Sequence, residues 1–161
     1  MALYREEKGR KKGFMEIHMM KQGHPLWERV IDFAAQCSWM GGHSLAKRMR
    51  SNGFADWERV FAAVTDDKIV GFAMFCEKGG MPKEYDFSPF ISCVFVDESY
   101  RGRRISQQMI SCIKEYAKEL GHRTIYLKSE HRGLYEKYGF IKVAEFTPVV
   151  GPADQLFRMD I

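Results

Sequence analysis

Paired cysteines, long apolar runs and a strong net charge are all missing from this chain of 161 residues. Its four cysteines lie far apart, without the C-x-x-C spacing of zinc sites and redox motifs, so we expect buried, reduced thiols. The five histidines likewise show no spacing typical of metal ligands. No apolar run is long enough to cross a membrane, and the N-terminus lacks the pattern of a signal peptide. The sequence therefore predicts a cytoplasmic protein with no metal and no membrane partner.

The charge of the chain is mild, because 25 basic and 21 acidic side chains give a net charge of +4. Five of the basic residues precede Gly13, and we interpret residues 1–13 as a solvated basic tail. A nucleic-acid-binding arm is the alternative, and it would predict salt-sensitive binding of duplex DNA. The modest net charge and the lack of an accompanying aromatic pattern argue against nucleic acid as a partner. We expect residues 14–161 to form a single domain with a hydrophobic core.

Residues 89–120 contain a buried strand, a basic turn and an amphipathic helix, in that order. Phe90–Val96 is apolar except for Ser92, and its length and its aromatic and β-branched content favour a strand. Apolar residues on both faces indicate a strand that is covered on both sides, as in the middle of an α/β sheet. From Ile105 to Leu120 apolar residues recur at three- and four-residue steps, which predicts a helix that ends before a glycine.

The rest of the chain predicts an alternation of short elements. Before the central stretch we expect a strand, two helices separated by Gly41-Gly42, and a β-hairpin with its turn at Asp66-Asp67. After it we expect a strand, a short helix and two final strands. The fold class is therefore α/β, of the mixed α+β kind, with a central mixed sheet flanked by helices. The expected elements are a strand over Phe14–Met19, a helix from Pro25, a helix over His43–Arg50, strands near Val60–Val64, Ile69–Cys76 and Thr124–Leu127, a helix over Arg132–Tyr138, a strand from Phe140 to Phe146 and a strand over Gln155–Ile161.

The turn between the central strand and its helix has the composition of an anion site. The first amides of a helix have no partners within the helix, and the helix dipole favours negative charge beside them. Arg101, Arg103 and Arg104 stand next to these amides and would strengthen the binding of phosphate oxygens. We therefore predict that Arg101–Ser106 binds a pyrophosphate. The alternative is a solvated basic turn, which is the commoner role of a charge cluster.

Two segments are similar to sequence motifs of the GNAT N-acetyltransferases. The segment VFVDESYRGRRIS resembles the acetyl-CoA motif of that family, a strand followed by R/Q-x-x-G-x-G/A and a helix. The segment LYEKYGF resembles its later signature, a Tyr four residues before Gly-Phe, and the element order matches over nearly the whole chain. Arg104 replaces the middle glycine of the first motif, and Ser106 replaces its small last residue. Lys128 and His131 replace an asparagine and an alanine that are common upstream of the tyrosine.

The resemblance implies a GNAT fold and an acetyl-CoA-dependent N-acetyltransferase. It implies that the central strand diverges from the next parallel strand, so that the backbone of Val94, Phe95 and Val96 is available to the pantetheine arm. It also implies that a primary amine of a small molecule or peptide attacks the thioester directly, and dimerisation is a family-level expectation. The residues expected to hold the pyrophosphate are Arg101, Gly102, Arg103, Arg104, Ile105 and Ser106.

Tyr135 matches the position of the family's general acid, which protonates the leaving thiolate. The alternative for this residue is a tyrosine packed beside Tyr138. The sequence does not identify the general base. Glu58, Glu84 and Asp86 could each steer a cationic amine, and a water-relayed base is equally compatible with the sequence.

The acceptor side is less specified. Trp39 and Met40 lie where this family forms its acceptor site, although core packing is the alternative for Trp39. For the whole chain, the alternative to an enzyme is a non-catalytic CoA-binding module of the same fold.

Overall fold

The computed structural model describes residues 13–80, 84–147 and 153–161. The predicted basic tail, apart from Gly13, lies outside these ranges. No helix in them is long and apolar enough to span a membrane. The element order is the one predicted from the sequence, and the mixed α/β class is confirmed. The strands are β1 Met15–Met20, β2 Arg59–Thr65, β3 Lys68–Cys76, β4 Phe90–Val96, β5 Thr124–Ser129, β6 Ile141–Phe146 and β7 Asp154–Asp160, and the α-helices are α1 Trp27–Gln36, α2 Met40–Arg50, α3 Ile105–Glu119 and α4 Leu134–Lys137.

The seven strands form one sheet in the order β1-β2-β3-β4-β5-β7-β6, so β4 is its central strand. Neighbouring strands are antiparallel except for β4 and β5, which run parallel. The long, continuous apolar character of Phe90–Val96 is explained by this position, because a central strand has helices over both faces.

The hydrophobic core has two layers, one on each side of the sheet. Helices α1 and α2 cover one side, which we call the α1/α2 face, and Phe90 and Phe95 of β4 point into this layer. Helices α3 and α4 cover the other side, the α3/α4 face, where Ile91, Val94 and Val96 pack. The two faces of β4 therefore belong to different layers of the core.

The structure differs from the sequence prediction at Gly41-Gly42, which lie inside the first turn of α2 rather than between the helices. The first helix already ends at Gln36, and Cys37 is extended. Both glycines are explained by close packing, since a Cβ on Gly41 would overlap the ring of Trp39 and a Cβ on Gly42 would overlap the Cys37 sulfur. The glycines therefore permit close contacts at the start of α2 and do not interrupt a helix.

Glu58 forms a buried polar cluster on the α1/α2 face. Its side chain is 5% exposed. Its Oε1 accepts hydrogen bonds from Arg48 Nη2 (3.0 Å) and from the Ala55 amide (2.6 Å), and its Oε2 accepts one from the Glu77 amide (2.8 Å). The carboxylate thus links α2, the α2–β2 loop and the end of β3. Because its oxygens already bind these donors, Glu58 is explained as a structural anion.

We expect Glu58→Ala to lower the free energy of unfolding by about 3 kcal/mol, because it leaves Arg48 and two backbone amides without their acceptor. Urea denaturation measures this change. The control is Glu115→Ala, whose carboxylate makes an exposed ion pair of 3.5 Å with Lys118, and whose loss should cost less than about 0.5 kcal/mol. Equal effects of the two substitutions would contradict the structural role of Glu58.

Candidate functional site

The central feature of the site is a gap between the C-terminal halves of β4 and β5. The two strands are in register only at Phe90–Tyr126 and Ile91–Leu127, and the amide of Tyr126 donates to the Pro89 carbonyl at 3.0 Å. Among the described residues, the rest of β4 has no strand partner on its β5 side. We call this opening the β4/β5 gap.

A β-bulge in β4 explains why the gap opens. The register of β4 against β3 shifts between Phe72 and Met74, so that β4 contains one extra residue there. Cys93 lies in this segment with φ of +53°, in the left-handed region that residues other than glycine rarely adopt. A bulge bends its strand and increases the local twist, which turns the C-terminal half of β4 away from β5.

The predicted strand residues Val94, Phe95 and Val96 border the gap. Phe95 is buried on the α1/α2 face, and the two valines are half-buried on the α3/α4 face. Along β4, alternate backbone N–H and C=O groups point toward β3 and toward the gap. The groups that point toward the gap can therefore bind an amide-bearing chain in the way that an added strand would.

Arg101 is held in place by residues that precede it in the chain. Its Nε donates to the Val96 carbonyl (3.0 Å), and its guanidinium carbon lies 5.7 Å from the centre of the Phe95 ring. Glu98, in a short 3-10 turn between β4 and α3, lies 3.9 Å from the same guanidinium group. Arg101 is thus positioned beside the end of β4 while much of its side chain stays exposed.

Arg104 begins α3 in a left-handed conformation. Its φ is +58°, and Gly102 nearby has φ of +80°. Arg104 occupies the position of the middle glycine in the family motif. Glycine is favoured there because the backbone is left-handed, and Arg104 adopts the same conformation. The cost of the side chain here is about 1 kcal/mol of strain.

The first turn of α3 presents unpaired backbone donors. The Gln108 amide bonds the Arg104 carbonyl at 3.1 Å, and no side chain caps the helix. Within the described residues, the amides of Ile105, Ser106 and Gln107 have no backbone acceptor. Exposed arginines stand directly before them, so the residues fit the phosphate groups of a nucleotide-bearing ligand.

Tyr135 lies on the α3/α4 face next to the end of β5. It is 4% exposed, and its ring packs against Tyr138, Phe140 and Phe157 with centroid distances of 5.9, 6.1 and 5.8 Å. Burial, with a smaller contribution from Tyr138, raises its pKa to about 12, although a hydrogen bond with the Ser129 side chain acts in the opposite direction. Tyr135 is therefore a protonated phenol whose hydroxyl is near the last residue of β5.

The predicted phosphate-binding segment and the predicted acid are physically connected. The Ser106 Oγ lies 2.8 Å from the Tyr138 hydroxyl oxygen, three residues along the chain from Tyr135. The first turn of α3 is thereby tied to the segment that carries the phenol. The structure thus brings the start of α3 and the segment that carries Tyr135 together on the α3/α4 face.

The remaining predicted residues have varied surroundings. Lys128 lies 3.6 Å from Asp154 and donates to the Gly80 carbonyl at 3.2 Å. Glu84 and Asp86 are exposed, and each lies in a loop that is only partly within the described ranges.

Two features were missed by sequence reasoning. The bulge at Cys93 has no signal, because neither a glycine nor a proline marks it. The Ser38 hydroxyl donates to the Glu98 carboxylate, sixty residues away in the chain, and lowers the pKa of that carboxyl group. Nothing in the local sequence of either residue indicates this contact, which joins the α1–α2 connection to the turn before α3.

Comparison with known proteins agrees with this geometry. A family model described as an acetyltransferase (GNAT) domain matches residues 56–142, just over half of the chain. No curated protein matches the chain.

Several solved structures share the fold. The chain is similar to an aminoglycoside 6'-acetyltransferase type Ii (TM-score 0.71, 20% identity, 90% of this chain and 96% of that one). It is also similar to an aminoglycoside 6'-N-acetyltransferase complexed with coenzyme A (TM-score 0.69, 18% identity, 90% of this chain and 96% of that one). A third similar structure is a GNAT family acetyltransferase from Elizabethkingia anophelis with acetyl-CoA bound (TM-score 0.61, 17% identity, 91% of this chain and 98% of that one). At these identities the likeness is one of fold.

We expect Arg104→Gly to raise the free energy of unfolding by about 0.5 kcal/mol, because the relief of left-handed strain exceeds the added entropy of the unfolded chain. The control is Arg103→Gly, at a neighbouring residue without positive φ, which should lose about 0.5 kcal/mol. Urea denaturation of both variants tests the pair. A loss of stability in Arg104→Gly as large as that in Arg103→Gly would refute the strain at Arg104.

Proposed function

The chain belongs to the GNAT acetyltransferase family, whose acetyl donor is acetyl-CoA, and on this premise we propose that it transfers the acetyl group to a primary amine. The observation that carries the proposal is the arrangement at the β4/β5 gap. In the described part of the chain, the C-terminal half of β4 has no β5 partner at this gap, the first amides of α3 are unpaired, and Tyr135 lies on the α3/α4 face. A small molecule or a peptide can carry the amine.

The donor is held by backbone groups and by positive charge. We assign its pyrophosphate to the amides of Ile105 and Ser106 and to the guanidinium groups of Arg101, Arg103 and Arg104, with Gly102 allowing the turn. Phosphate oxygens bind well at such a helix start, because charge-assisted hydrogen bonds add to the helix dipole. The backbone of Val94–Val96 then pairs with the amides of the pantetheine arm, and the thioester lies in the gap.

The reaction forms a C–N bond and breaks a C–S bond. The neutral amine attacks the thioester carbonyl carbon, the sulfur leaves as a thiolate, and the amine nitrogen loses a proton. We assign the proton that the thiolate gains to the Tyr135 hydroxyl. A water-relayed base fits the amine side, because Glu58 is already bound to Arg48 and two amides.

The environment of Tyr135 defines what this phenol can do. With a pKa of about 12 it holds its proton at neutral pH. Complete transfer to a thiolate whose thiol has a pKa near 8.5 is uphill by roughly 3.5 pKa units, or about 5 kcal/mol. The Ser129 side chain lowers the pKa of this phenol, so we assign to it the stabilisation of the phenolate.

The second candidate is a non-catalytic CoA-binding module. The near-complete burial of Tyr135 favours it, because a phenol that packs against three aromatic rings is also explained as part of the core. Measured turnover of acetyl-CoA with a panel of amines decides between the two functions. Under either function, a cytoplasmic location and a domain spanning residues 14–161 remain part of the proposal, and dimerisation remains a prediction.

We predict that Arg104→Glu raises the Kd for acetyl-CoA at least about tenfold, because it removes an attraction to the pyrophosphate and adds a repulsion. The effect should shrink at high salt, since the groups are exposed. Isothermal titration calorimetry measures both. The control is Arg123→Glu, an exposed arginine just beyond the other end of α3, and equal Kd values for the two variants would refute the assigned phosphate site.

We predict that Tyr135→Phe lowers kcat about a hundredfold at neutral pH, while the Kd for acetyl-CoA stays within about twofold. The control is Tyr116→Phe, which removes a phenol bonded to the Trp57 carbonyl (2.7 Å) on the same face. Unchanged kcat in Tyr135→Phe would leave only the packing role of this residue. Binding of acetyl-CoA without turnover of any amine by the wild type would favour the binding module.

A further inference from the structure

At the β4/β5 gap, the groups that we assign to the donor lie mainly on one face of the sheet. Arg101 is the exception, because its guanidinium group lies 5.7 Å from the ring centre of Phe95, which belongs to the other face. The start of α3, Ser106 with its Tyr138 partner, and Tyr135 are all on the α3/α4 face. If the thioester lies in the gap with its carrier on that face, an amine reaches the carbonyl carbon from the opposite side. The α1/α2 face beside the gap therefore determines which amines fit.

An exposed aromatic surface lies there. The indole of Trp39 stacks on the Phe95 ring, with 6.2 Å between centroids and 8° between planes. Phe95 in turn stacks on Phe72 at 5.3 Å. A Cβ on Gly41 would overlap the indole, so the glycine backbone also packs against it. The indole is thus fixed in orientation.

The same indole is not buried by these contacts. Trp39 is 40% exposed, and Met40 beside it is 73% exposed. A tryptophan that only filled the core would be covered. These two adjacent large apolar side chains, one of them stacked on Phe95 of β4, instead offer a surface against which a flat apolar group can pack.

The two carboxylates described beside the gap already have partners. Lys128 is the first residue of β5 beyond the paired region, and alternation with Leu127 places it on the α1/α2 face. Its ammonium group lies 3.6 Å from Asp154. Glu98 already accepts from Ser38 and pairs with a guanidinium group. Both carboxylates are therefore already paired, Asp154 with Lys128 and Glu98 with Arg101, so neither is free to bind a cationic amine.

We propose that the acceptor is a primary amine attached to an aromatic or similarly flat apolar group, which packs against the exposed part of the Trp39 indole. This inference rests on the proposed acetyl transfer. An apolar surrounding also favours the neutral form of the amine, which is the form that attacks. Trp39 is a specificity-determining residue in this account, because it contacts the acceptor and not the donor.

The test is steady-state kinetics with three amines, 2-phenylethylamine, hexylamine and spermidine, each varied at saturating acetyl-CoA. A second series varies acetyl-CoA at a fixed concentration of 2-phenylethylamine. The wild type should prefer 2-phenylethylamine to spermidine by about a hundredfold in kcat/KM. Trp39→Ala should raise the KM for 2-phenylethylamine about tenfold and leave the KM for acetyl-CoA within about twofold, whereas Trp39→Phe should retain most of the affinity. The control is Leu120→Ala, which removes a side chain that is 41% exposed beyond the far end of α3 and should change neither KM.

The outcomes separate this inference from the function on which it rests. Acetylation that favours spermidine, or equal effects of Trp39→Ala on all three amines, overturns the aromatic acceptor while acetyl transfer stands. Binding of acetyl-CoA with no acetylation of any amine overturns both. Loss of acetyl-CoA binding in Trp39→Ala, with circular dichroism unchanged, places Trp39 in the donor site and also overturns the inference.

Discussion

The bulge at Cys93 is the constraint on which the rest of the structure depends. If β4 and β5 paired along their whole length, the sheet would be closed and no backbone groups at its centre would be free. The left-handed conformation of Cys93 costs about 1 kcal/mol or more, and pairing with β3 on both sides of the bulge holds it in place. The strain thus opens a gap in the middle of an otherwise continuous sheet.

The gap divides the functional groups between two faces that share one strand. The start of α3 and Tyr135 lie toward α3 and α4, and the indole of Trp39 lies toward α1 and α2. Phe95 connects the sides, because Trp39 stacks on its ring and the Arg101 guanidinium lies 5.7 Å from the ring centre. The hydrogen bond from Ser38 to Glu98 is a second link between the α1–α2 connection and the turn that begins α3. The residues that we assign to the donor and to the acceptor are therefore adjacent in space although they are far apart in sequence.

Much of this arrangement can be predicted from the sequence where one local pattern dominates. The bounds of β4 follow from a continuous apolar run, and those of α3 from a regular stripe, to within a residue. Gly41-Gly42 was misinterpreted because a glycine pair is ambiguous: it can interrupt a helix or allow side chains to approach the backbone, and only the positions of Trp39 and Cys37 decide. The role of Glu58 could not be predicted from the sequence either, since its hydrogen-bond partners come from three separate segments.

The candidate site likewise contains some features that the sequence predicts and others that it does not. Two motifs indicate the phosphate-binding turn and Tyr135, because each depends on residues close together in the chain. The bulge and the stack of Trp39 on Phe95 depend on how β3 and the α1–α2 connection pack against β4. These segments are far apart in the chain, so no short sequence pattern predicts their contacts.

The most direct test of the central claim is a titration with acetyl-CoA followed by ¹H–¹⁵N NMR of the backbone amides. The account predicts the largest shift changes at Val94–Val96 and at Ile105–Gln107, with little change in β1 and β2. Changes that leave both of these segments unaffected and cluster elsewhere would contradict it.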